Sequence, residues 1–207
     1  MPYPLYMGVR YFGDGTNYTS FAANGLVGLV GTARVVNSEW ISAGSIKGAG
    51  LKPATEAAHG ILEVPVWVFA DESAANQQSV GFKVRHQRRM DDTVAPTLSL
   101  RLSTTTVDPG DNSKKYYFSL AYLWRKVNED TTAAAQETLY VNPVMSTTAE
   151  GLVEATFTGI DLPDADDKLL YCKVTRVSDN VLDTIADTVE LHGITWSWTT
   201  CRFGTAT

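Results

Sequence analysis

The side chains able to do chemistry fall into a few clusters. Asp161, Asp164, Asp166 and Asp167 crowd one turn, 161–168 (DLPDADDK), and carboxylate oxygens of this kind suit a calcium ion. The spacing is not that of an EF-hand, and the glycine wanted at the sixth position is missing, so a solvated turn is the better reading. The same reading applies to Asp179, Asn180, Asp183 and Asp187. Arg85, His86, Arg88 and Arg89 form the most unusual local charge feature. Arginine forks could dock on an acidic partner surface. Asp91 and Asp92 follow at once, so mutual neutralisation within the loop is the plainer account.

His59, His86 and His192 are far apart and show no ligand spacing, so no zinc site, and no cofactor or metal of any kind, is expected. No GxSxG elbow, phosphate-binding glycine loop or Cys–His pairing is present. A carboxylate pair for glycoside cleavage needs only proximity in space, but nothing singles one out. The expectation is a protein that is not an enzyme. Aromatic residues offer another chemistry, since coplanar rings can hold sugars. Trp196 and Trp198 share a strand face, as do Tyr122 and Trp124. Rings at period two are more often core, because burying a tryptophan is strongly favourable.

The elements that would position these groups are strands. Leu170, Cys172 and Val174 alternate with Tyr171, Lys173 and Thr175, the mark of a half-buried β-strand. A second run begins at Val189 and Leu191 and continues at Ile194, Trp196 and Trp198, with its phase slipping at Gly193, where a bulge is expected. Upstream, 61–69, 80–86, 98–102, 116–125, 138–141 and 153–157 read as further strands. Pro65 argues for an edge or a bulge, and only 131–136 hints at helix. Seven or eight strands separated by turns, without alternating helices, predict an all-β, antiparallel β-sandwich, jelly-roll-like in topology.

Residues 1–55 read differently, as an irregular N-terminal arm rich in glycine and aromatics. Tyr3, Tyr6, Tyr11, Phe12, Tyr18 and Phe21 are candidate anchors on a neighbouring subunit, together with Arg85, Arg88 and Arg89 on the sandwich. The alternative is that the rings close the bottom of the same sandwich. The sandwich itself is expected over 56–200, with a short tail at 201–207.

The chain of 207 residues carries a net charge of −6, which disfavours a generally nucleic-acid-binding surface. No apolar run is long enough to suggest a membrane helix, and the start lacks the pattern of a secretion signal, so synthesis in a cytoplasm is expected. Cys172 and Cys201 make no disulfide framework, and Cys172 falls on an apolar strand face where a thiol acts as a small hydrophobe.

Four segments resemble a family of bacteriophage virion proteins with a jelly-roll-like β-sandwich: Leu120–Glu129 (LAYLWRKVNE), Thr156–Pro163 (TFTGIDLP), Leu169–Asn180 (LLYCKVTRVSDN) and Asp183–Trp198 (DTIADTVELHGITWSW). Val35–Trp40 (VVNSEW) is similar to a short element near that family's start. The resemblance spans about two-thirds of the chain, Val64 to Trp198, and its motifs are structural. One departure matters. Many relatives carry a histidine pair on the strand after the proline, whereas here Pro96 is followed by Thr97, Leu98, Ser99 and Leu100, so a histidine role there does not carry over.

The resemblance implies a structural protein of the virion, assembled in the host cytoplasm. Its expected partners are other virion proteins, the major capsid protein or tail components, with no nucleic acid and no membrane. A capsid decoration or cement protein, acting as a homotrimer, is the leading expectation, since closed symmetric association leaves no open patches. A tail, baseplate or fibre-attachment protein, a carbohydrate-binding host-recognition module, and a glycan-cleaving enzyme are the alternatives. The carbohydrate reading requires Trp124, Trp196 or Trp198 to be exposed.

Overall fold

The structure is a computed structural model and describes residues 10–13, 18–21, 27–30, 35–60, 63–85, 90–91, 93–104, 114–126, 128–130, 132, 135–162, 168–200 and 202–203. The strands are β1 (Arg10–Gly13), β2 (Tyr18–Phe21), β3 (Val27–Val30), β4 (Val35–Ser42), β5 (Lys47–Ala49), β6 (Thr55–His59), β7 (Val64–Phe69) and β8 (Ser79–Arg85). They continue as β9 (Thr97–Ser103), β10 (Phe118–Arg125), β11 (Glu137–Val141), β12 (Val153–Phe157), β13 (Leu169–Arg176), β14 (Val189–Thr200) and β15 (Arg202–Phe203). Among the described residues there is no α-helix, only single 3-10 turns at Ala43–Ser45 and Ala74–Asn76. The helix hint at 131–136 falls partly outside them, and its described residues are not helical.

Two antiparallel sheets form the sandwich, with strand orders β11-β10-β13-β8-β5 and β12-β9-β14-β7-β6. Strands β7 to β14 therefore divide as β7-β14-β9-β12 and β8-β13-β10-β11. Every connection between them crosses from one sheet to the other except the β10–β11 hairpin, which is the jelly-roll pattern. β1, β2, β3 and β15 make a separate four-stranded sheet.

The stretch 1–55 read as an arm is not uniform. β4 pairs with β14 from Val35↔Thr200 to Ser42↔Gly193, and β5 pairs with β8. Its polar, irregular text hid these strands because each is hydrogen-bonded along an edge while its side chains stay largely in solvent. β14 is long enough to serve two strands on one edge, β7 along Val189–Leu191 and β4 along Gly193–Thr200, while β9 runs along the other. Pro65 sits in β7 ahead of Trp67–Phe69, the part paired with β14, so no ladder bond to β14 is asked of it.

The core lies between the sheets. Trp124 of β10 meets Trp196 of β14 edge-on at 6.4 Å, and Phe69 of β7 meets Phe118 of β10 at 5.4 Å, so both contacts join one sheet to the other. Leu98, Leu100 and Leu102, Leu170 and Val174, and Val189, Leu191 and Ile194 fill the remainder and are all buried. The register of β14 against β9 shifts between Leu191 and Gly193, leaving His192 as the extra residue. That is the expected bulge. A Cβ at position 193 would collide with the Trp40 ring and lie 2.9 Å from the Ile41 carbonyl oxygen, so the close approach of β4 requires glycine. Cys172 is a buried free thiol whose pKa burial pushes up, and Cys201 lies outside the described residues.

Candidate functional site

Strand alternation gives each sheet an outward face. On the β8–β13–β10 side, Gly81 and Lys83, Tyr171 and Lys173, and Ala121 and Leu123 point away from the core. Register aligns them in rows: Lys47 opposite Gly81, Gly81 opposite Lys173, and Lys173 opposite Ala121. In the next row Lys83 stands opposite Tyr171, which faces Leu123. The small residues Gly81 and Ala121, on either side of Lys173 in the first row, leave an open groove of about 730 Å³. Lys173 rises between Gly81 and Ala121, and Lys47, Lys83 and Tyr171 stand around them.

The charge of this groove is opposite to that of the chain. Three lysines line it and no carboxylate stands among its described lining residues, although the chain carries a net −6. Lys83 Nζ lies 5.0 Å from the centre of the Tyr171 ring, a cation–π contact. None of the three lysines is ion-paired with a described carboxylate. On the same face, at the β11 edge, Tyr140 is exposed and stacks on Tyr117 at 5.6 Å.

The opposite sheet carries a second cluster. His59, at the end of β6, reaches Glu190 of β14 with Nδ1 at 2.6 Å from Oε2. His192 stands two residues on from Glu190, on the same face, with Nε2 3.8 Å from that same oxygen. The Ser103 hydroxyl is 2.8 Å from His192 Nε2 and donates to Glu190 Oε2 at 3.4 Å. The two imidazoles meet edge-on at 4.7 Å. Burial, and then the neighbouring His59 ring, hold the His192 pKa below its ordinary value, while Glu190 and Glu150 oppose that in part. The expectation that the histidines stay apart is thus corrected for His59 and His192. β6 and β14 flank β7 in the sheet, a neighbourhood that residue spacing along the chain does not encode.

The other candidates fare differently. Trp124 and Trp196 are 2% and 0% exposed, and Trp198 is half-buried against the core, so the exposed tryptophan that the carbohydrate reading required is not among them, and any sugar site must use other residues. The exposed tryptophan is Trp40 on β4, at 54%. Asp183 is not in a solvated turn: its carboxylate is buried in a two-point pairing with Arg176. Asp161 uses its backbone, accepting from the Trp124 indole at 2.7 Å and donating its N–H to the Tyr122 hydroxyl at 2.9 Å. Asp164, Asp166 and Asp167 lie outside the described residues, as do Tyr3, Tyr6, His86, Arg88, Arg89 and Asp92. Tyr11 and Phe12 fall on β1, Tyr18 is half-buried on β2, Phe21 is exposed at its end, and Arg85 is exposed at the end of β8. The groove was missed because its residues lie on four strands. The available signal was the outward set Lys83, Tyr171 and Lys173 on strands whose alternation was already legible.

No family model matches the chain, and no curated protein sequence matches it. Among solved structures it is similar to a CBM35 from Cellvibrio japonicus Abf62, with 10% identity over 83% of this chain and 100% of that one, at a TM-score of 0.45. It is also similar to the CBM36-1 domain of a multidomain xylanase from the hindgut metagenome of Trinervitermes trinervoides, with 9% identity over 83% and 100% and a TM-score of 0.41. The enzymatically active domain of bacteriophage CBA120 tailspike protein 4 is similar over 79% of this chain and 19% of that one, with 7% identity and a TM-score of 0.39. At these identities and TM-scores nothing about role, ligands or partners is transferred.

Proposed function

We propose that this chain is a non-enzymatic bacteriophage virion protein whose jelly roll binds an acidic glycan in the lysine-lined groove. The groove carries the reading. Lysine ammonium groups attract carboxylate, sulfate or phosphate substituents, the Tyr171 ring offers a face for a sugar ring, and Gly81, between Lys47 and Lys173, lets a ring lie close to the sheet. The virion assignment is supported by the sequence resemblance over 64–198, and host recognition is the role in which glycan binding and that resemblance meet.

The test is titration of the purified protein with polygalacturonate and hyaluronate against neutral dextran and xylan. Binding confined to the acidic polymers, weakened in the Lys47→Ala/Lys83→Ala/Lys173→Ala variant, supports the reading. Equal binding to neutral polymers, or no binding to any, overturns it.

A second reading is attachment to a protein partner, as in the capsid decoration role. Val36 and Trp40 project from the same outward face of β4 and are exposed, an apolar pair suited to a protein partner. Locating the protein on the head of purified particles supports this reading; its absence from particles removes both.

A further inference from the structure

We infer that His59, Glu190 and His192 form a binding site for a divalent transition ion of the Zn2+ type, clipping β6 to β14 across the outside of the sheet. Two imidazole nitrogens and one carboxylate oxygen, all within 4.8 Å of one another, are brought together from two strands. Nitrogen and oxygen donors in this ratio suit zinc, which takes them at about 2.0–2.2 Å and leaves a further position open in three-ligand sites. Ligand atoms around a tetrahedral ion at those distances stand about 3.3 Å apart. The separations of 2.6 Å and 3.8 Å bracket that value, so small side-chain rotations admit the ion.

The surroundings are those of a built pocket rather than a chance surface triad. The Glu190 side chain is 11% exposed and Ser103 is fully buried, while the His59 and His192 side chains remain 22% and 17% exposed. The carboxylate thus forms the protected base and the imidazoles the rim, with the open position facing solvent. Val66, which alternation places on this same face, is fully buried although it is not part of the core between the sheets. Ser103 donates to Glu190 and stands 2.8 Å from His192 Nε2, so its hydroxyl can keep hold of the carboxylate when the imidazole proton shifts to Nδ1 and the ion takes the Nε2 lone pair. The site stands on the opposite sheet from the groove and needs no glycan.

The experiment uses tag-free full-length protein, stripped with a chelator and titrated with Zn2+ by calorimetry, with Co2+ absorption as a spectroscopic check. We expect one ion per chain, a raised Tm on loading, and visible Co2+ bands of a low-coordinate nitrogen and oxygen site. His192→Ala and Glu190→Gln are expected to weaken binding by more than about tenfold, as is His59→Gln, a partly exposed strand-end change chosen to leave the fold intact by circular dichroism. The exposed carboxylate variant Glu154→Gln is expected to bind as the parent does. Absence of binding by the parent at 100 µM Zn2+, or parent-like binding by folded His59→Gln, overturns the inference.

Discussion

The guanidinium of Arg176 and the carboxylate of Asp183 lie side by side, Nε to Oδ2 at 2.9 Å and Nη2 to Oδ1 at 3.0 Å, with both side chains out of solvent. The remaining guanidinium hydrogens go to the backbone carbonyls of Phe69, Ile185 and Asp187. Asp183 also accepts the N–H groups of Tyr117 and Ile185, each at 3.2 Å. Every polar atom of the pair is used, and the connection from β13 to β14 is fastened to the ends of both sheets.

Removing one partner strands the other charge. Asp183→Ala is expected to lower unfolding stability by about 3–5 kcal/mol, read as a fall in the urea midpoint. A loss below about 1 kcal/mol would mean that the pair behaves as a surface one.

Gly193→Ala places a methyl group against the Trp40 ring and is expected to cost about 1–3 kcal/mol. Trp40→Ala in the same chain should recover part of that loss, the 2.9 Å approach to the Ile41 carbonyl oxygen remaining. A double-mutant cycle with no coupling would refute the contact.

The tryptophans should separate by role. Trp196→Ala is expected to cost about 3–5 kcal/mol, the range for emptying a core aromatic site. Iodide should quench the emission of exposed Trp40 well ahead of Trp196, and Trp40→Phe should remove most of the iodide-sensitive signal.

The groove lysines should matter to ligand and not to fold. Lys83→Ala/Lys173→Ala is expected to leave stability within about 0.5 kcal/mol per substitution. Affinity for polygalacturonate should fall by about tenfold or more, with a flatter dependence on salt. An unchanged salt dependence would show that the lysines are not the contact.

Strands whose side chains alternate between core and solvent were legible from residue order. β13 falls where Leu170, Cys172 and Val174 put it, and the slip at Gly193 marks the observed bulge. β4, β5 and β6 were not, because strands with little buried apolar surface lack that alternation. The Arg176–Asp183 pair was hidden for another reason. Acidic residues in a turn look alike in sequence whether water or a buried guanidinium answers them. The two clusters gather residues from separate strands, so only strand order brings Lys47 beside Gly81 and Lys173, or His59 within reach of Glu190.

The centre of each sheet is held by a late strand, β13 in one and β14 in the other. On a translating ribosome, strands β7 to β12 would emerge with neither sheet able to close, because β8 and β10 meet only through β13, and β7 and β9 only through β14. Folding would then wait for residues 169–200 and proceed after they are released, through contacts of long sequence separation that form slowly. Until that moment the apolar faces of six strands stay open. Nascent chains stalled before residue 169 should be protease-sensitive and chaperone-bound, and released chains that include residues 169–200 should be resistant.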